Sequence, residues 1–266
     1  MSSAHEILVV GLGPGSPDLL TRETVAALRS SRVFLRTHIH PTLAYLPESA
    51  GWRSFDRLYD EAPDFSALYD RMVDTLLAKS RQGPLVYAVP GSPLFAEASV
   101  RHLRRRAALE GVPVRVLPAV SFIDVVAGAL DLDPVAGNIQ LVDALDLAAY
   151  SEREPFAGGS LPLSNLRPAL VAQLYSKPIA SAAKLALLTV YPPDLQIALV
   201  TAAGTPEQAI ARRALSELDH GPVDHLSTLY LPTVEPLVWP RSPEAVRQIT
   251  SRLRAPGGCP WDREQT

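Results

Sequence analysis

The stretch Val9-Val10-Gly11-Leu12-Gly13-Pro14-Gly15-Ser16-Pro17-Asp18-Leu19-Leu20-Thr21 indicates the fold of this chain. It combines an apolar strand, a loop with three glycines and two prolines, and the start of a helix. Glycine lets a backbone approach a ligand closely, and α/β proteins bind small molecules where parallel strands end and helices begin. The stretch therefore predicts a strand-loop-helix junction that is either a ligand site or only a tight turn.

Two nucleotide-binding motifs fit this loop poorly. A dinucleotide fingerprint requires an acidic residue about 20 positions further on, at the end of the second strand. The second predicted strand, Arg32 to Thr37, ends without a carboxylate, and Pro14 and Pro17 lack the N–H groups that would bind a pyrophosphate. A P-loop ends in Gly-Lys-Ser/Thr, whereas the first lysine of the chain is Lys79. The sequence therefore excludes a P-loop and disfavours a nicotinamide-dependent oxidoreductase.

Strands and helices alternate along the first half of the chain. Apolar, β-branched runs bounded by glycine or proline predict strands near Ile7 to Val10, Val33 to Arg36, Leu85 to Val89 and Val114 to Leu117. Helical spacing predicts helices at Leu19 to Ser30, Asp64 to Lys79, Phe95 to Glu110 and Phe122 to Leu130. This alternation favours a mainly parallel sheet with helices on both faces, in a first lobe spanning residues 1–113.

The pattern starts again after Asp133-Pro134. Strands are expected near Asn138 to Leu141, Ala169 to Leu174, Gln196 to Thr201 and Leu226 to Leu231, the last at a sheet edge. Helices are expected at Ile179 to Tyr191 and Glu207 to Leu218, and a further one at Arg241 to Arg254. We expect a mixed sheet in a second lobe over residues 114–236, followed by a linker and tail over residues 237–266.

Composition bounds the class of protein. With 266 residues and 47% hydrophobic content, the chain can bury a full core. One cysteine, Cys259, rules out an internal disulfide and suits a reducing cytoplasm, and no apolar stretch reaches the roughly 18 residues that a membrane span needs. The net charge of −3 gives no general basic surface for nucleic acid. We expect a cytoplasmic protein that binds neither membranes nor nucleic acid.

Five blocks of sequence resemble the tetrapyrrole (corrin/porphyrin) methylase family and follow its order. Gly11 to Asp18 resembles the opening motif, Tyr87 to Phe95 the second glycine-proline loop, and Leu117 to Phe122 the third. The blocks of the second lobe are Gln173 to Tyr175 and Ala203 to Gln208. The resemblance implies an α/β fold of two lobes with a cofactor cleft between them, and a homodimer.

A narrower resemblance is to the methylase-type domain fused ahead of MazG nucleoside triphosphate pyrophosphohydrolases. It rests on Ser121 to Asp124, Leu141 to Leu145, Ala180 to Leu185 and Asp224 to Pro232. The tail, Arg252 to Thr266, is similar to the segment that opens a MazG domain. The helical bundle whose carboxylates would hold magnesium is not in the sequence. We therefore expect the amino-terminal part of a longer fusion, with a fused MazG domain as partner, and assign no pyrophosphohydrolase chemistry to this chain.

The resemblance implies S-adenosylmethionine as the cofactor. Adenine requires a flat apolar slot, and a buried sulfonium requires carbonyl oxygens or aromatic faces around it. For Phe95, Phe122 and Leu174, which belong to the cofactor set listed next, ordinary core packing is the alternative. Carried over block by block, the cofactor-binding residues are Pro14, Pro90, Gly91, Ser92, Phe95, Ser121, Phe122, Leu174, Tyr175, Ala203 and Gly204.

The sequence departs from the biosynthetic methylases at two expected carboxylates. Arg36-Thr37 stands where their second strand typically ends in aspartate, and Gly91-Ser92-Pro93 replaces their usual Gly-Asp-Pro. No general base is visible, so the catalytic candidates are Arg36, Thr37 and His40, and Asp124 is expected to brace a loop. His38 and His40 have no apparent third ligand, which disfavours a metal site. Two hypotheses follow: a methyltransferase with an unknown small-molecule acceptor, or a non-catalytic cofactor-binding module that regulates the fused domain.

Overall fold

The structure is a computed structural model that describes residues 5–46, 51–151, 161 and 163–265. The chain forms two compact units, which we call unit 1 and unit 2. Unit 1 comprises Met1–Gly128 together with Ala203–Pro206, and unit 2 comprises Ala129–Ala202 together with Glu207–Thr266.

Unit 1 contains a parallel sheet of five strands in the order β3-β2-β4-β1-β5. The predicted parallel sheet is confirmed, and β3 is an edge strand that the sequence did not indicate. The strands are β1 (Ile7–Gly11), β2 (Val33–Leu35), β3 (Trp52–Ser54), β4 (Leu85–Val89) and β5 (Val114–Val116).

Both faces of this sheet are buried, as a parallel sheet requires. Successive residues of β1 alternate between two hydrophobic clusters: Ile7 packs with Met72 and Leu103 on one face, and Val10 packs with Leu28 on the other. The helices that cover the sheet include α1 and the long pair α3 and α4. The helices are α1 (Arg22–Ala27), α2 (Asp56–Glu61), α3 (Phe65–Ser80), α4 (Ala98–Glu110) and α5 (Phe122–Leu130), the last of which continues into unit 2.

The helix predicted from Leu19 to Ser30 is shorter than expected. Residues Pro17–Leu19 form a 3-10 turn, Leu20 is extended, and α1 begins only after Thr21. The Thr21 hydroxyl accepts a hydrogen bond from the Thr24 N–H at 3.1 Å, which caps the helix. The extended backbone at Leu20 therefore separates two short helical pieces that the sequence pattern merged into one.

The first unit extends beyond the predicted boundary at Pro113. Strand β5 pairs with β1, with Ile7 opposite Val114 and Val9 opposite Val116, so it belongs to the first sheet. The change of unit comes after Gly128. The composition at Val112-Pro113 marks a turn between α4 and β5 rather than the end of the unit.

Unit 2 contains the predicted mixed sheet, and its strands lie in the order β6-β7-β10-β8-β9. Strands β6 and β7 are parallel, and the other pairs are antiparallel. Its hydrophobic cluster includes Leu147, Leu187, Leu199 and Leu229. The strands are β6 (Gln140–Asp143), β7 (Ala169–Ala172), β8 (Gln196–Thr201), β9 (Ala209–Ala214) and β10 (Ser227–Leu231), and the helices are α6 (Ala144–Ser151), α7 (Lys177–Leu187), α8 (Pro243–Arg254) and α9 (Pro260–Glu264).

Two expectations for unit 2 are wrong. The segment Glu207 to Leu218 is not a helix, because β9 pairs antiparallel with β8 along six residues, from Gln196 opposite Ala214 to Thr201 opposite Ala209. Sheet pairing overrides the helix propensity of its alanines and arginines. Strand β10 is not at an edge, because it lies between β7 and β8. The edge position belongs to β9, the strand that the sequence reading missed.

The tail is helical and attached to unit 2. Helix α8 covers most of the predicted Arg241 to Arg254 helix, and the Ser242 hydroxyl caps it by accepting from the Ala245 N–H at 3.1 Å. The same hydroxyl donates to buried Asn165 at 2.8 Å. Across the described ranges, helix length and apolar character never combine to the degree that a membrane crossing requires.

Candidate functional site

Two of the predicted cofactor loops meet at the carboxyl edge of the unit 1 sheet. The Gly13 N–H donates to the Gly91 carbonyl at 3.1 Å, and the Gly91 N–H donates to the Gly13 carbonyl at 3.0 Å. This antiparallel bridge joins the loop after β1 to the loop after β4. It brings Pro14 close to the segment that begins at Pro90. Both bridge glycines have positive φ, 69° and 64°, which favours glycine at these positions.

Glycine is also required beneath this bridge by close approach. A Cβ placed on Gly11 would lie 2.4 Å from the Gly91 carbonyl oxygen and 2.6 Å from Ala119 Cβ. The loop after β5 therefore reaches the same edge. A Cβ on Gly91 would meet nothing within 4 Å, so that side of the bridge faces open space. Three loops thus converge on one edge and leave room beside Gly91.

The third block forms the start of α5. Asp124 accepts a hydrogen bond from the Ser121 N–H at 2.8 Å, and the Ser121 hydroxyl accepts from the Ile123 N–H at 3.2 Å. These reciprocal bonds satisfy free N–H groups at the helix start. The expectation that Asp124 braces a loop is confirmed. Ser121 is buried and Phe122 is half-buried, so this helix start is tightly fixed.

The Ala203-Gly204 block lies with unit 1 although the strands around it belong to unit 2. Gly204 has φ 80°, and a Cβ there would lie 2.7 Å from Val125 of α5 and 3.2 Å from Leu19. A Cβ on Gly15 would lie 2.8 Å from the Thr205 methyl group. The fold therefore gathers nine of the predicted cofactor residues in unit 1: Pro14, Pro90, Gly91, Ser92, Phe95, Ser121, Phe122, Ala203 and Gly204.

The remaining two predicted cofactor residues lie in unit 2, just after β7. Leu174 is fully buried in the hydrophobic cluster, which favours the core-packing alternative for this residue. Tyr175 is half-buried, and burial and the Asp143 carboxylate raise the pKa of its phenol. Gln173 and nearby Ala202 have positive φ, 65° and 50°. Non-glycine residues rarely adopt this region, and such strain gathers at functional sites.

Asp143 is a carboxylate that the sequence reading did not select for the site. It ends β6, opposite Ala172 of the parallel strand β7, and it caps α6 by accepting from the Leu145 N–H at 2.9 Å. An acidic residue at the carboxyl end of a predicted strand was the available signal. The strand was expected to end at Leu141, two residues too early.

Arg36, a catalytic candidate, is held in a buried polar network. Its Nη1 donates to the Glu97 carboxylate at 2.7 Å, its Nε donates to the Tyr59 hydroxyl at 3.0 Å, and its guanidinium lies 5.9 Å from the centre of the Tyr69 ring. Burial lowers the pKa of Arg36 and is the largest single cause, but Glu97 and the neighbouring tyrosines together raise the pKa by more, so the guanidinium stays protonated. Arg36 can therefore bind and orient, but it cannot act as a base.

The network continues from Glu97 into the core. Glu97 accepts from the Ser99 N–H at 3.1 Å and from the Ser99 hydroxyl at 2.6 Å. The Ser99 and Tyr87 oxygens lie 2.7 Å apart, and burial raises the pKa of the Tyr87 phenol well above its usual value. Because Glu97 caps α4 and Ala96 has φ 53°, α4 begins at Ala98 rather than at Phe95 as predicted.

Thr37 is bonded to a carboxylate from a distant part of the sequence. Its hydroxyl donates to Asp56 at 2.5 Å, and the His38 N–H donates to the other Asp56 oxygen at 2.8 Å. Burial raises the pKa of Asp56, but these hydrogen bonds outweigh it and leave the pKa below its usual value. The edge of β2 therefore does carry a carboxylate, supplied by α2, which sequence reasoning missed.

His40 is buried and starts the 3-10 turn Pro41–Tyr45. Within this turn, the Thr42 hydroxyl donates to the Leu12 carbonyl at 3.0 Å, which ties the turn to the glycine loop. In the part of the chain that the structure describes, no three His, Cys, Asp or Glu side chains lie close enough to share a metal ion. The fold thus places His40 beside the glycine loop and provides no cluster of metal ligands there.

Similarity to known proteins agrees with this architecture. Residues 6–219 match the family of Tetrapyrrole (Corrin/Porphyrin) Methylases. The chain is 35% identical to the uncharacterized protein YabN of Bacillus subtilis (strain 168), over an alignment that covers 99% of this chain and 52% of YabN. The chain therefore spans about half the length of this relative.

Solved structures share the fold. The cobalamin biosynthetic enzyme cobalt precorrin-4 methyltransferase, CbiF, has a TM-score of 0.62 at 17% identity, with coverage of 86% of this chain and 95% of CbiF. Uroporphyrin-III C-methyltransferase from Thermus thermophilus, complexed with S-adenyl homocysteine, has a TM-score of 0.58 at 20% identity, with coverage of 91% and 99%. These levels of identity bear on the fold alone. The family match over residues 6–219 shows that this chain belongs to the tetrapyrrole (corrin/porphyrin) methylase family.

Proposed function

We propose that the loops at the carboxyl edge of unit 1 bind S-adenosylmethionine, and that the protein transfers its methyl group to a small-molecule acceptor. The observation that carries this proposal is the reciprocal Gly13–Gly91 bridge, with open space beside Gly91. Loops built this way expose backbone carbonyl oxygens and let a ligand approach closely. The solved relative that holds S-adenyl homocysteine supports the choice of ligand.

The chemistry of these loops suits a sulfonium nucleoside. A sulfonium is a cation that is costly to bury without oxygen atoms around it, and carbonyl groups can supply them. A flat adenine fits a slot lined by small and apolar residues. Pro14, Ser92 and Ala203 are small, buried residues on the converging loops. We infer that they line the adenosine end of the ligand.

Methyl transfer depends mainly on alignment of the two reactants. When bound, S-adenosylmethionine supplies an electrophilic methyl group. The chain's own residues would hold the acceptor beside it. The Thr37 hydroxyl, which donates to Asp56 and accepts from the Ile39 N–H, can accept one further hydrogen bond from an O–H or N–H of the acceptor. The Asp56 carboxylate, which accepts from that hydroxyl, is the group that we propose to receive a proton where the acceptor must lose one.

Calorimetric titration with S-adenosylmethionine and S-adenosylhomocysteine tests the cofactor proposal. We expect Gly91→Ala to bind at least about tenfold more weakly than wild type, because its methyl group enters the open space beside the bridge. Gly111→Ala is the matched control. Gly111 has φ 67°, close to the 64° of Gly91, and a Cβ there also meets nothing within 4 Å, but it ends α4 at the opposite edge of the sheet. No heat with either compound for wild type contradicts the proposal.

A non-catalytic, cofactor-binding module is the second candidate function. It is favoured by the state of Asp56, whose lowered pKa and bracing hydrogen bonds are opposite to what a general base needs. Incubation with radiolabelled S-adenosylmethionine and cell extract separates the two functions. Labelled product that depends on the protein supports a methyltransferase, whereas tight cofactor binding without any labelled product supports the regulatory module.

We further propose that the protein is cytoplasmic, forms a homodimer, and carries a MazG domain after the segment Arg252 to Thr266. The similarity of that segment to the opening of a MazG domain supports the fusion. An immunoblot of the natural protein tests it, since a mass close to 28.7 kDa contradicts a fused domain. Sedimentation of this chain tests the dimer, and fractionation of the cells tests the compartment.

A further inference from the structure

Several exposed apolar side chains of unit 1 lie at the carboxyl edge of its sheet. Ile39 follows β2, Phe65 begins α3, and Leu94 and Phe95 follow β4; they are 72%, 48%, 57% and 44% exposed. Phe65 stacks on Tyr69 with 6.1 Å between ring centres. We call the four exposed side chains the apolar rim. Apolar surface that gathers at a ligand-binding edge is typical of a surface that binds something.

The charged groups beside the apolar rim carry more negative than positive charge. Arg36 is paired with Glu97 at 2.7 Å, and the Asp56 carboxylate is bonded to the next residue, Thr37. Two carboxylates and one guanidinium therefore surround Tyr59. Burial raises the pKa of the Tyr59 phenol, whereas Arg36 lowers it by more than either Glu97 or Asp56 raises it. With one guanidinium against two carboxylates, this network offers a ligand anion no surplus positive charge.

Separating Arg36 from Glu97 would cost a large amount of free energy. The Glu97 side chain is 3% exposed, and Ser99 donates two hydrogen bonds to it in addition to the bond from Arg36. A ligand anion that took the guanidinium would leave this buried carboxylate without its counter-ion. Breaking one partner out of a buried ion pair is strongly destabilising. The positive charge of the guanidinium is therefore already paired with Glu97 when a ligand arrives.

We propose that the apolar rim binds an uncharged, apolar or aromatic part of the methyl acceptor, and that Glu97 excludes carboxylate-bearing molecules by holding Arg36. The inference rests on the proposed function for the identity of this ligand as an acceptor. A carboxylate on the rim would lose water and would meet a guanidinium whose charge Glu97 already balances. Glu97 is thus a specificity-determining residue that acts through Arg36.

Two probes that differ only in charge test this inference. 2-Naphthamide and 2-naphthoate share the same ring system, but only the second carries a carboxylate. In equilibrium dialysis against the full chain, with and without saturating S-adenosylhomocysteine, we expect the amide to bind at least about tenfold more tightly than the carboxylate. Glu97→Gln frees the guanidinium and is expected to bring the ratio to within about twofold, or to reverse it.

Glu110→Gln is the matched control. It lies on the same helix, makes the same change in charge, and pairs with Arg81 at 3.0 Å at the far end of α4, so it is expected to keep the wild-type ratio. Circular dichroism checks that each variant is folded. Where Glu97→Gln fails to fold, Leu94→Ser decides, since Leu94 is exposed. We expect it to lose amide binding, whereas Leu109→Ser, also exposed but at the end of α4, is expected to keep it.

Equal binding of the two probes by wild type overturns the inference, as does an unchanged ratio in folded Glu97→Gln. Failure of 2-naphthamide to bind, or equal loss in Leu94→Ser and Leu109→Ser, overturns it as well. Calorimetry with S-adenosylhomocysteine is read separately. A missing heat there contradicts the proposed function, while the charge selectivity of the rim is still measured by dialysis in its absence.

Discussion

The two units end their strands with different kinds of residue. In unit 1, Gly13, Gly15 and Gly91 take positive φ in the loops at the carboxyl edge, together with one alanine, Ala96, whereas in unit 2 Gln173 and Ala202 do so. Glycine adopts this region without penalty, but another residue pays roughly 1–2 kcal/mol. The unit 1 edge is therefore built for close approach between loops. The unit 2 edge stores strain that the surrounding sheet must offset.

The two sheets also differ in how clearly the sequence marks their strands. The unit 1 sheet is parallel and buried on both faces, and its strands follow local apolar patterns that the sequence makes plain. The unit 2 sheet is mixed, and its edge strand β9 is largely exposed. The residues of β9, Ala-Ile-Ala-Arg-Arg-Ala, lack the alternation of apolar and polar side chains that marks a half-buried strand. The sequence therefore predicted the strands of unit 1 better than those of unit 2.

The largest effect that separates the units should come from matched core truncations. Leu76→Ala in α3 and Leu187→Ala in α7 each remove a fully buried side chain from a helix that packs on its sheet. We expect each to cost about 2–5 kcal/mol of unfolding free energy in urea titrations. Hydrogen exchange with mass spectrometry should locate the loss of protection in the unit that carries the change. Equal loss in both units would contradict the division into two compact units.

The close packing of the unit 1 edge is tested by Gly11→Ala. The added methyl group meets the Gly91 carbonyl, Ala119 and Pro93 at 2.4–2.7 Å, so the loops must separate. We expect a loss of about 3 kcal/mol in stability. Gly128→Ala in α5 is the control, because its added methyl group meets nothing within 4 Å and helix propensity should make it neutral or slightly stabilising. Similar effects of the two changes would contradict the convergence of the loops.

Substitutions to glycine test the strain of the unit 2 edge, because they should stabilise the protein rather than destabilise it. Gln173→Gly and Ala202→Gly should each stabilise the protein by about 0.5–1 kcal/mol, since the relief of positive φ exceeds the entropy that glycine loses on folding. Thermal unfolding measures the change. Gly91→Ala in unit 1 should destabilise by about the same amount. Destabilisation by both glycine substitutions would mean that the side chains of Gln173 and Ala202 contribute more than their backbone costs.

The smallest effect concerns two acids and depends on pH. Asp56 in unit 1 and Asp219 in unit 2 both have a pKa below the usual 3.8. Burial is the largest single cause and opposes this in each, but several interactions together, led by the hydrogen bonds from Thr37 and from Lys184, respectively, outweigh it. Their stabilisation is therefore present above the unfolded pKa and lost as pH falls through the folded pKa. We expect Asp56→Asn and Asp219→Asn to cost less than about 1 kcal/mol each at pH 7. Urea titrations at pH 7 and below pH 3 should show the cost disappear in acid, whereas a constant cost would contradict the lowered pKa values.

Local signals predicted much of the fold. Strands β4 and β8 and helix α5 have the predicted bounds, because each is a continuous apolar or amphipathic run between clear breaks. The reading failed at β9, whose composition favours a helix and whose strand state depends on pairing with β8. It also failed at the position of β10, because the order of strands in a sheet depends on pairing between distant segments and not on the residues of one segment.

The candidate site was predictable where it is built from backbone. The glycine and proline loops named in advance are those that converge in unit 1. The carboxylates were not predictable, because Asp56 and Glu97 lie 19 and 61 residues along the chain from the side chains that they bind, Thr37 and Arg36. The sequence reading correctly found no carboxylate on β2 itself, yet the fold supplies one from α2.

The sequence by itself determined the features that depend on near neighbours: the alternating strands, the helix caps, and the glycine turns whose φ only that residue adopts freely. The tertiary structure alone decided which strands pair, that residues 203–206 lie with unit 1, and that Glu97 forms an ion pair with Arg36. The physical reason is the range of the interactions. Backbone propensity acts over a few residues, whereas strand pairing, buried ion pairs and loop contacts gain their free energy only after distant segments meet.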